Sequence, residues 1–361
     1  MPKNRPLLDR IRRLAWGGAG LLAWLGAGAA LAQAPVPYKL RVVGGLAGVN
    51  QYVRHEEPFW TKELARLSGG RFSADIVPFD RAGVPGMEML RLMQMGVVSF
   101  GTVLMSSLSA QYPQYTAPDL AGLNPDMASL RSSVAAFRPY LEKALREQHG
   151  IEALAIYVYP AQVLFCKKPL ARLADLAGRR TRVSSAGQAD FVGALGGVPV
   201  HTGFAQILYS LESGQTECAI TGTMSGHSLG LYRVTHYLYP LPVTWGLAIF
   251  GANQAAWNAL PPELRTLLRQ ELPRLETMIW NEAERETAEG IACNSGGPQC
   301  RQGRKGRMEV EPVSSQDERR RREIFQSVVL RRWLQRCSVA CDDIWGQTIG
   351  PARGIEAPGN R

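Results

Sequence analysis

The chain has 361 residues and a formal net charge of +10, from 41 Lys and Arg against 31 Asp and Glu, with 45% hydrophobic residues. Its length exceeds one ordinary core and points to two lobes. The basic excess does not make a nucleic-acid binder, because much of it sits in one late segment, Arg301 to Arg336, rather than interleaved with aromatics over one face.

Lys3, Arg5, Arg10, Arg12 and Arg13 precede an apolar run from Leu14 to Leu31, and small residues follow at Ala30-Leu31-Ala32 and Ala32-Gln33-Ala34. This is the three-part layout of a cleaved secretory signal peptide over residues 1–32, with a membrane anchor as the alternative. Its removal takes away five basic groups and one acid, which lowers +10 to +6. No later stretch reaches the ~20 apolar residues of a membrane span, so the mature chain is expected to be soluble and periplasmic.

The mature chain opens with a short strand, Tyr38 to Gly45, followed by a helix carrying Phe59, Trp60, Leu64 and Leu67 on one face and stopped by Gly69-Gly70. Phe72, Ala74, Ile76 and Pro78 alternate as a second strand, a Met-rich helix surrounds Met87 to Met95, and Gly96 to Gly101 reads as a third strand. Strand, helix, strand, helix, strand is the pattern of a parallel sheet with crossover helices. It recurs later: strands at Ile151–Tyr159, Gln162–Lys167, Arg180–Val183 and Val198–Val200, and helices at Ala186–Leu195 and Phe204–Ser213. Trp245 to Gly251 reads as a strand returning to the first half, and Pro261 to Ile291 as a long helix that Pro273 should kink.

The expected fold is therefore a two-lobed α/β periplasmic-binding-protein fold with shared crossing strands and a long kinked helix spanning both lobes. Residues 38–160, with return segments near 245–260, form mainly lobe 1, and residues 161–244 mainly lobe 2. The helix occupies 261–292, and a cysteine-containing region, 293–361, follows. Such lobes place a ligand in the cleft between them.

Cys166 and Cys218 stand alone, whereas Cys293, Cys300, Cys337 and Cys341 cluster late. In an exported chain they permit disulfides, but spacing alone does not fix the pairing. The late four are expected to staple a poorly packed tail, with the arginine run Arg319 to Arg322 on a solvated helix. No metal-binding spacing accompanies the cysteines, and no cofactor motif appears. Gly226-His227-Ser228-Leu229-Gly230 matches the nucleophile elbow of α/β hydrolases, but only His236 follows Ser228, with no acid between them. A serine hydrolase is therefore the weakest of the readings.

From about Lys39 to Ile291 the order of segments resembles the DctP-type solute receptors of tripartite ATP-independent periplasmic (TRAP) transporters. The similar stretches include Trp60-x-x-Glu63-Leu64 leading into Ser68-Gly69-Gly70-Arg71-Phe72. The most specific is Lys168-Pro169-Leu170-x-x-Leu173-x-Asp175-Leu176-x-Gly178-x-x-x-Arg182-Val183. Ala194-Leu195-Gly196-Gly197-Val198-Pro199-Val200, Tyr209-Ser210-Leu211-Glu212-Ser213-Gly214 and Trp257-x-x-Leu260-Pro261 follow in order.

The resemblance implies that Arg182 forms a bidentate salt bridge with a substrate carboxylate, a role that suits the planar, always charged guanidinium. It implies that Phe204 packs against the ligand. It also places Thr221 where sialic-acid-type members carry an asparagine, and Gln162 where they carry a second arginine. That last departure argues against a second buried charge. Trp245 is a plausible pocket wall, and Asn50, Gln51 and Tyr52 could reach the ligand from the other lobe. The implied function is capture of a small organic acid, lobe closure and delivery to TRAP membrane subunits. The alternative is a ligand sensor signalling to a receptor kinase.

Overall fold

The computed structural model describes residues 38–358, and the expected signal peptide lies outside the described residues. Alternation in Tyr38–Gly44 (β1) and Phe72–Pro78 (β2) buries Leu40, Val42, Phe72 and Ala74. The two strands pair in parallel from Tyr38 opposite Phe72 to Gly44 opposite Pro78. Phe100–Leu104 (β3) lies parallel to β1, and Leu247–Asn253 (β10) pairs antiparallel with β3 and with Ile151–Val158 (β4). The sheet order is β2-β1-β3-β10-β4.

The second sheet takes Gln162–Cys166 (β5), Arg180–Val183 (β6), Val198–His201 (β7), Cys218–Gly222 (β8), Tyr237–Thr244 (β9) and Glu309–Val310 (β11), in the order β11-β9-β5-β8-β6-β7. The fold is a two-lobed α/β arrangement in which the chain crosses between sheets from β4 to β5 and from β9 to β10. The Tyr159 N–H donates to the Gly246 carbonyl at 3.0 Å and so ties the two crossings together.

The helix Pro262–Ser295 runs unbroken through Pro273 and contacts both halves. The Trp280 indole donates to the Ile156 carbonyl at 2.8 Å on the first sheet, and the Asn294 amide to the Thr223 carbonyl at 2.9 Å beside the second. Gly290 is required where this helix crosses Thr223–Leu229, since a Cβ there would lie 2.3 Å from the Met224 nitrogen. No helix among the described residues is long and apolar enough to cross a membrane.

Two expectations are corrected, and one element is added. The third strand starts at Phe100 rather than Gly96, because Gly96, at φ 74°, and the N–H groups of Val97 and Val98 close the preceding helix onto Met93 and Leu92. Residues 127–149 form a long helix, capped by Asp126 and ended by Gly150, that the sequence reading did not single out.

The C-terminal segment is also no poorly packed tail. Ile324, Phe325, Leu330, Trp333, Trp345 and Ile349 are all buried. Of the four consecutive arginines only Arg321 turns inward, 1% exposed, where it pairs with Glu318 and donates to the Gly122 carbonyl. Gly122, at φ 86°, allows this approach: a Cβ would sit 2.9 Å from the Arg321 carbonyl. The cysteines pair as Cys166–Cys218, Cys293–Cys300 and Cys337–Cys341.

Candidate functional site

Strands β6, β7 and β8 run parallel, so their carboxyl ends lie together on one side of the second sheet. Arg182, near the end of β6, is pinned there. Its Nη1 donates to the Ile220 carbonyl at 2.7 Å, while Nε and Nη2 donate to the Thr202 carbonyl at 3.1 and 2.9 Å. Three of the five N–H donors of the guanidinium are thus used on backbone. Arg182 is 4% exposed, and no carboxylate among the described residues lies within ion-pair distance of it. Burial without a counter-charge pushes its pKa down to about 9, which leaves it cationic at neutral pH but poorly compensated.

Arg182 borders a cavity of about 610 Å³, counted to its open mouth, between the two sheets. Gln162, Thr221 and Phe204 border the same cavity, so four of the eight residues singled out from sequence come together. The first sheet contributes Leu46, Leu104, Ser106 and Ser107, the crossings contribute Tyr159 and Gly246, and Ser184, Thr202 and Ser225 complete the polar lining. Sequence reasoning missed these. Most lie just past the ends of β1, β3, β4 and β6, where ligands of α/β sheets bind, so the strand boundaries carried the signal.

The other four residues point elsewhere. Trp245 is buried, with its indole donating to the Asn124 carbonyl at 3.1 Å. Its backbone N–H and that of Gly246 are held by the Asp119 carboxylate at 2.9 and 2.7 Å. Asn50 bonds to Glu286 and, at 2.8 Å, to Gln302. Gln51 donates to Glu56 at 2.9 Å, and Tyr52 packs beneath Gly44 with its hydroxyl toward the Ile76 carbonyl. Asn50 and Gln51 line a separate, much smaller cavity on the far side of Tyr159 and Ser225. A helix entered directly from the first strand-to-helix loop turns these side chains toward Pro262–Ser295 instead of the cleft.

Glu56, buried below Gly45, gathers three donors: the Gly45 N–H at 3.0 Å, the Gln51 amide at 2.9 Å and the Thr102 hydroxyl at 3.2 Å. Burial outweighs them and raises its pKa from 4.5 to about 7. The folded state therefore holds this proton over a window where the unfolded chain has released it, and stability falls as pH rises from about 4.5 to about 7. Asp119, also raised to about 7 by burial, acts in the same direction. The melting temperature is expected to be higher at pH ~5.5 than at pH ~7.5, and Glu56→Gln to shrink that difference. A Glu56→Gln variant whose pH profile matched the wild type would remove Glu56 as a source.

Ser228 sits exposed in the helix Thr223–Leu229 rather than on a strand-to-helix turn, and its neighbour His227 directs Nε2 to the Arg304 carbonyl at 2.7 Å. The fold also brings His227 within 4.8 Å of Cys293 and Cys300, which sequence distance hid. Both sulfurs are joined in a disulfide, so the trio offers no thiolate ligand.

A family model described as DctP, bacterial extracellular solute-binding protein, family 7, matches residues 47–333. The chain is similar to DctP7 of Bordetella pertussis, an extracytoplasmic solute receptor binding pyroglutamic acid, at 21% identity and a TM-score of 0.75, over 86% of this chain and 99% of that one. It is similar to a TRAP periplasmic solute binding protein of Desulfovibrio salexigens with bound orotic acid, at 17% identity and a TM-score of 0.74, over 88% and 99%. A third, from Sulfurospirillum deleyianum with bound succinate, matches at 15% identity and a TM-score of 0.74, over 88% and 99%. At these identities the likeness establishes a common fold.

Proposed function

The chain belongs to the DctP family of bacterial extracellular solute-binding proteins, and from that premise we propose that it captures a small organic acid whose carboxylate is taken by Arg182 in the inter-sheet cleft. The observation that carries this reading is a buried guanidinium bordering the cleft, held by backbone carbonyls and lacking an acidic partner among the described residues. An incoming carboxylate supplies the missing charge and accepts the N–H donors that the carbonyls leave free.

No chemical step is required. Ser106, Ser107 and Leu104 from one side and Arg182, Thr221 and Phe204 from the other give a ligand contacts on both lobes, so binding favours a closed state. The crossings at 159–161 and 245–246 are the segments about which such closure would occur. Release to TRAP-type membrane subunits outside the cytoplasm completes the proposed cycle. The acids held by the similar structures, pyroglutamate, orotate and succinate, set the size range to try first.

The test is a thermal-shift screen of the mature chain against organic acids and uncharged analogues. A ligand binding only the folded state stabilises it by about 2.7 kcal/mol at one hundred times its Kd. A shift with acids and none with the matching amides or alcohols is expected. Equal shifts with the uncharged analogues would remove the carboxylate from the mechanism.

A further inference from the structure

The polarity of the cleft beside Arg182 is set by a chain of hydrogen bonds that begins at a backbone group. The Ser184 N–H, which can only donate, meets Gln188 Oε1 at 2.8 Å, and the Ser184 hydroxyl adds a second bond there at 3.1 Å. With Oε1 thus assigned, Gln188 Nε2 donates to Gln162 Oε1 at 2.6 Å and to Thr244 Oγ1 at 2.8 Å. Thr244, opposite Gln162 in the β5–β9 register, directs its own proton to Gln162 Oε1 at 3.1 Å.

Both lone pairs of Gln162 Oε1 are then occupied, and its Nε2 is left with two N–H bonds that no described residue accepts. This nitrogen lies against Gly246, where a Cβ would come within 2.5 Å of it, and both residues border the cleft. Gln188 is 1% and Thr244 4% exposed, so water does not readily reset the relay.

Charge supplies the second constraint. Among the described residues, Arg182 is the sole ionic side chain bordering the inner cavity. One carboxylate balances it, whereas a second would stay uncompensated in a desolvated pocket.

We propose that the ligand is a monoanionic carboxylate bearing a second, uncharged carbonyl oxygen, of the lactam, keto or amide kind, which accepts from Gln162 Nε2. Gln188 is the positioning residue that fixes Gln162 as a donor. This inference rests on Arg182 taking the carboxylate. Selectivity follows because a ligand that fills the cleft without offering the carbonyl shuts water away from these N–H donors and leaves them unpaired, a loss of roughly tenfold or more in affinity.

The experiment is isothermal titration of protein freed of co-purified ligand, using matched probes: pyroglutamate against cyclopentanecarboxylate, 2-oxobutyrate against butyrate, and succinate as the dianion. The carbonyl member of a binding pair is expected to be favoured about tenfold or more, and succinate to bind more weakly than it. Gln188→Glu still accepts from Ser184 but cannot donate to Gln162, so the Gln162 amide turns over and the preference collapses to about twofold or less. Gln188→Leu removes the relay without adding charge and should give the same collapse. A merely structural role for Gln188 would weaken both members of a pair alike and leave their ratio unchanged.

Paired acids of equal affinity, preference for succinate, or a ratio that survives both variants would overturn the proposal while leaving Arg182 as the carboxylate site. Failure of every acid to bind the wild type would overturn both.

Discussion

Replacing Arg182 by methionine is expected to weaken carboxylate binding by about 10³-fold while the empty protein melts at or slightly above the wild-type temperature. Truncating one partner of a desolvated, hydrogen-bonded charge pair costs about 2–5 kcal/mol of binding free energy, and ~4 kcal/mol corresponds to that factor. Methionine preserves much of the unbranched volume.

The two halves of the expectation have opposite signs for one reason. In the empty cleft the guanidinium is buried, with backbone carbonyls as its hydrogen-bond partners, and burial drags its pKa down to about 9. Removing it relieves a desolvated charge, which offsets the loss of those three bonds. Arg182→Lys keeps the charge but not the planar fork, so it should fall between the two. Titration calorimetry and thermal melting measure both halves, and a variant binding the same acid within about threefold of wild type would sink the assignment.

The second large effect is on stability. Removing the Cys166–Cys218 bridge in a double Cys→Ala variant is expected to cost about 4 kcal/mol, the chain-entropy value for a loop closed over 52 residues. The two cysteines face each other across β5 and β8, the central antiparallel pair of the second sheet, and both are fully buried. The other two bridges close only 7 and 4 residues, so each withholds less entropy from the unfolded chain.

Urea unfolding of the double variant measures this effect, and a loss below ~1 kcal/mol would show that the sheet holds the pair without the bond. Ligand affinity well below the melting temperature should change little. Cys166 and Cys218 lie at the end of the β5–β8 ladder opposite Gln162 and Gly222, and it is the latter two that border the cleft.

These two effects also mark what was legible in the sequence. The strand alternation at residues 72–78, the Gly punctuation at 69–70 and 196–197, and the ordered motifs around Arg182 are local signals. Period-2 and period-3.6 patterns report burial of one face without needing to know what covers it. Strand β9 escaped that reading because Pro240 and Pro242 break the usual strand composition; it tolerates them with only the two-residue β11 on its outer side. Arg182 was legible as a residue type at a strand end, whereas its isolation from every described acid was not.

What the sequence determined by itself is the class: an α/β chain of two lobes, with an arginine at the end of a strand that the family resemblance marks as the candidate for a carboxylate. The tertiary structure decided the partners. It joined Cys166 to Cys218, turned Arg321 inward while its neighbours stayed exposed, and drew Asn50 and Gln51 to a different cavity. It also set the direction of the Gln162 amide through Ser184, Gln188 and Thr244. Each of these depends on groups distant in the chain that meet only when the strands are registered. A side chain's role in a site is fixed by the donors, acceptors and charges around it, and local periodicity carries no record of them.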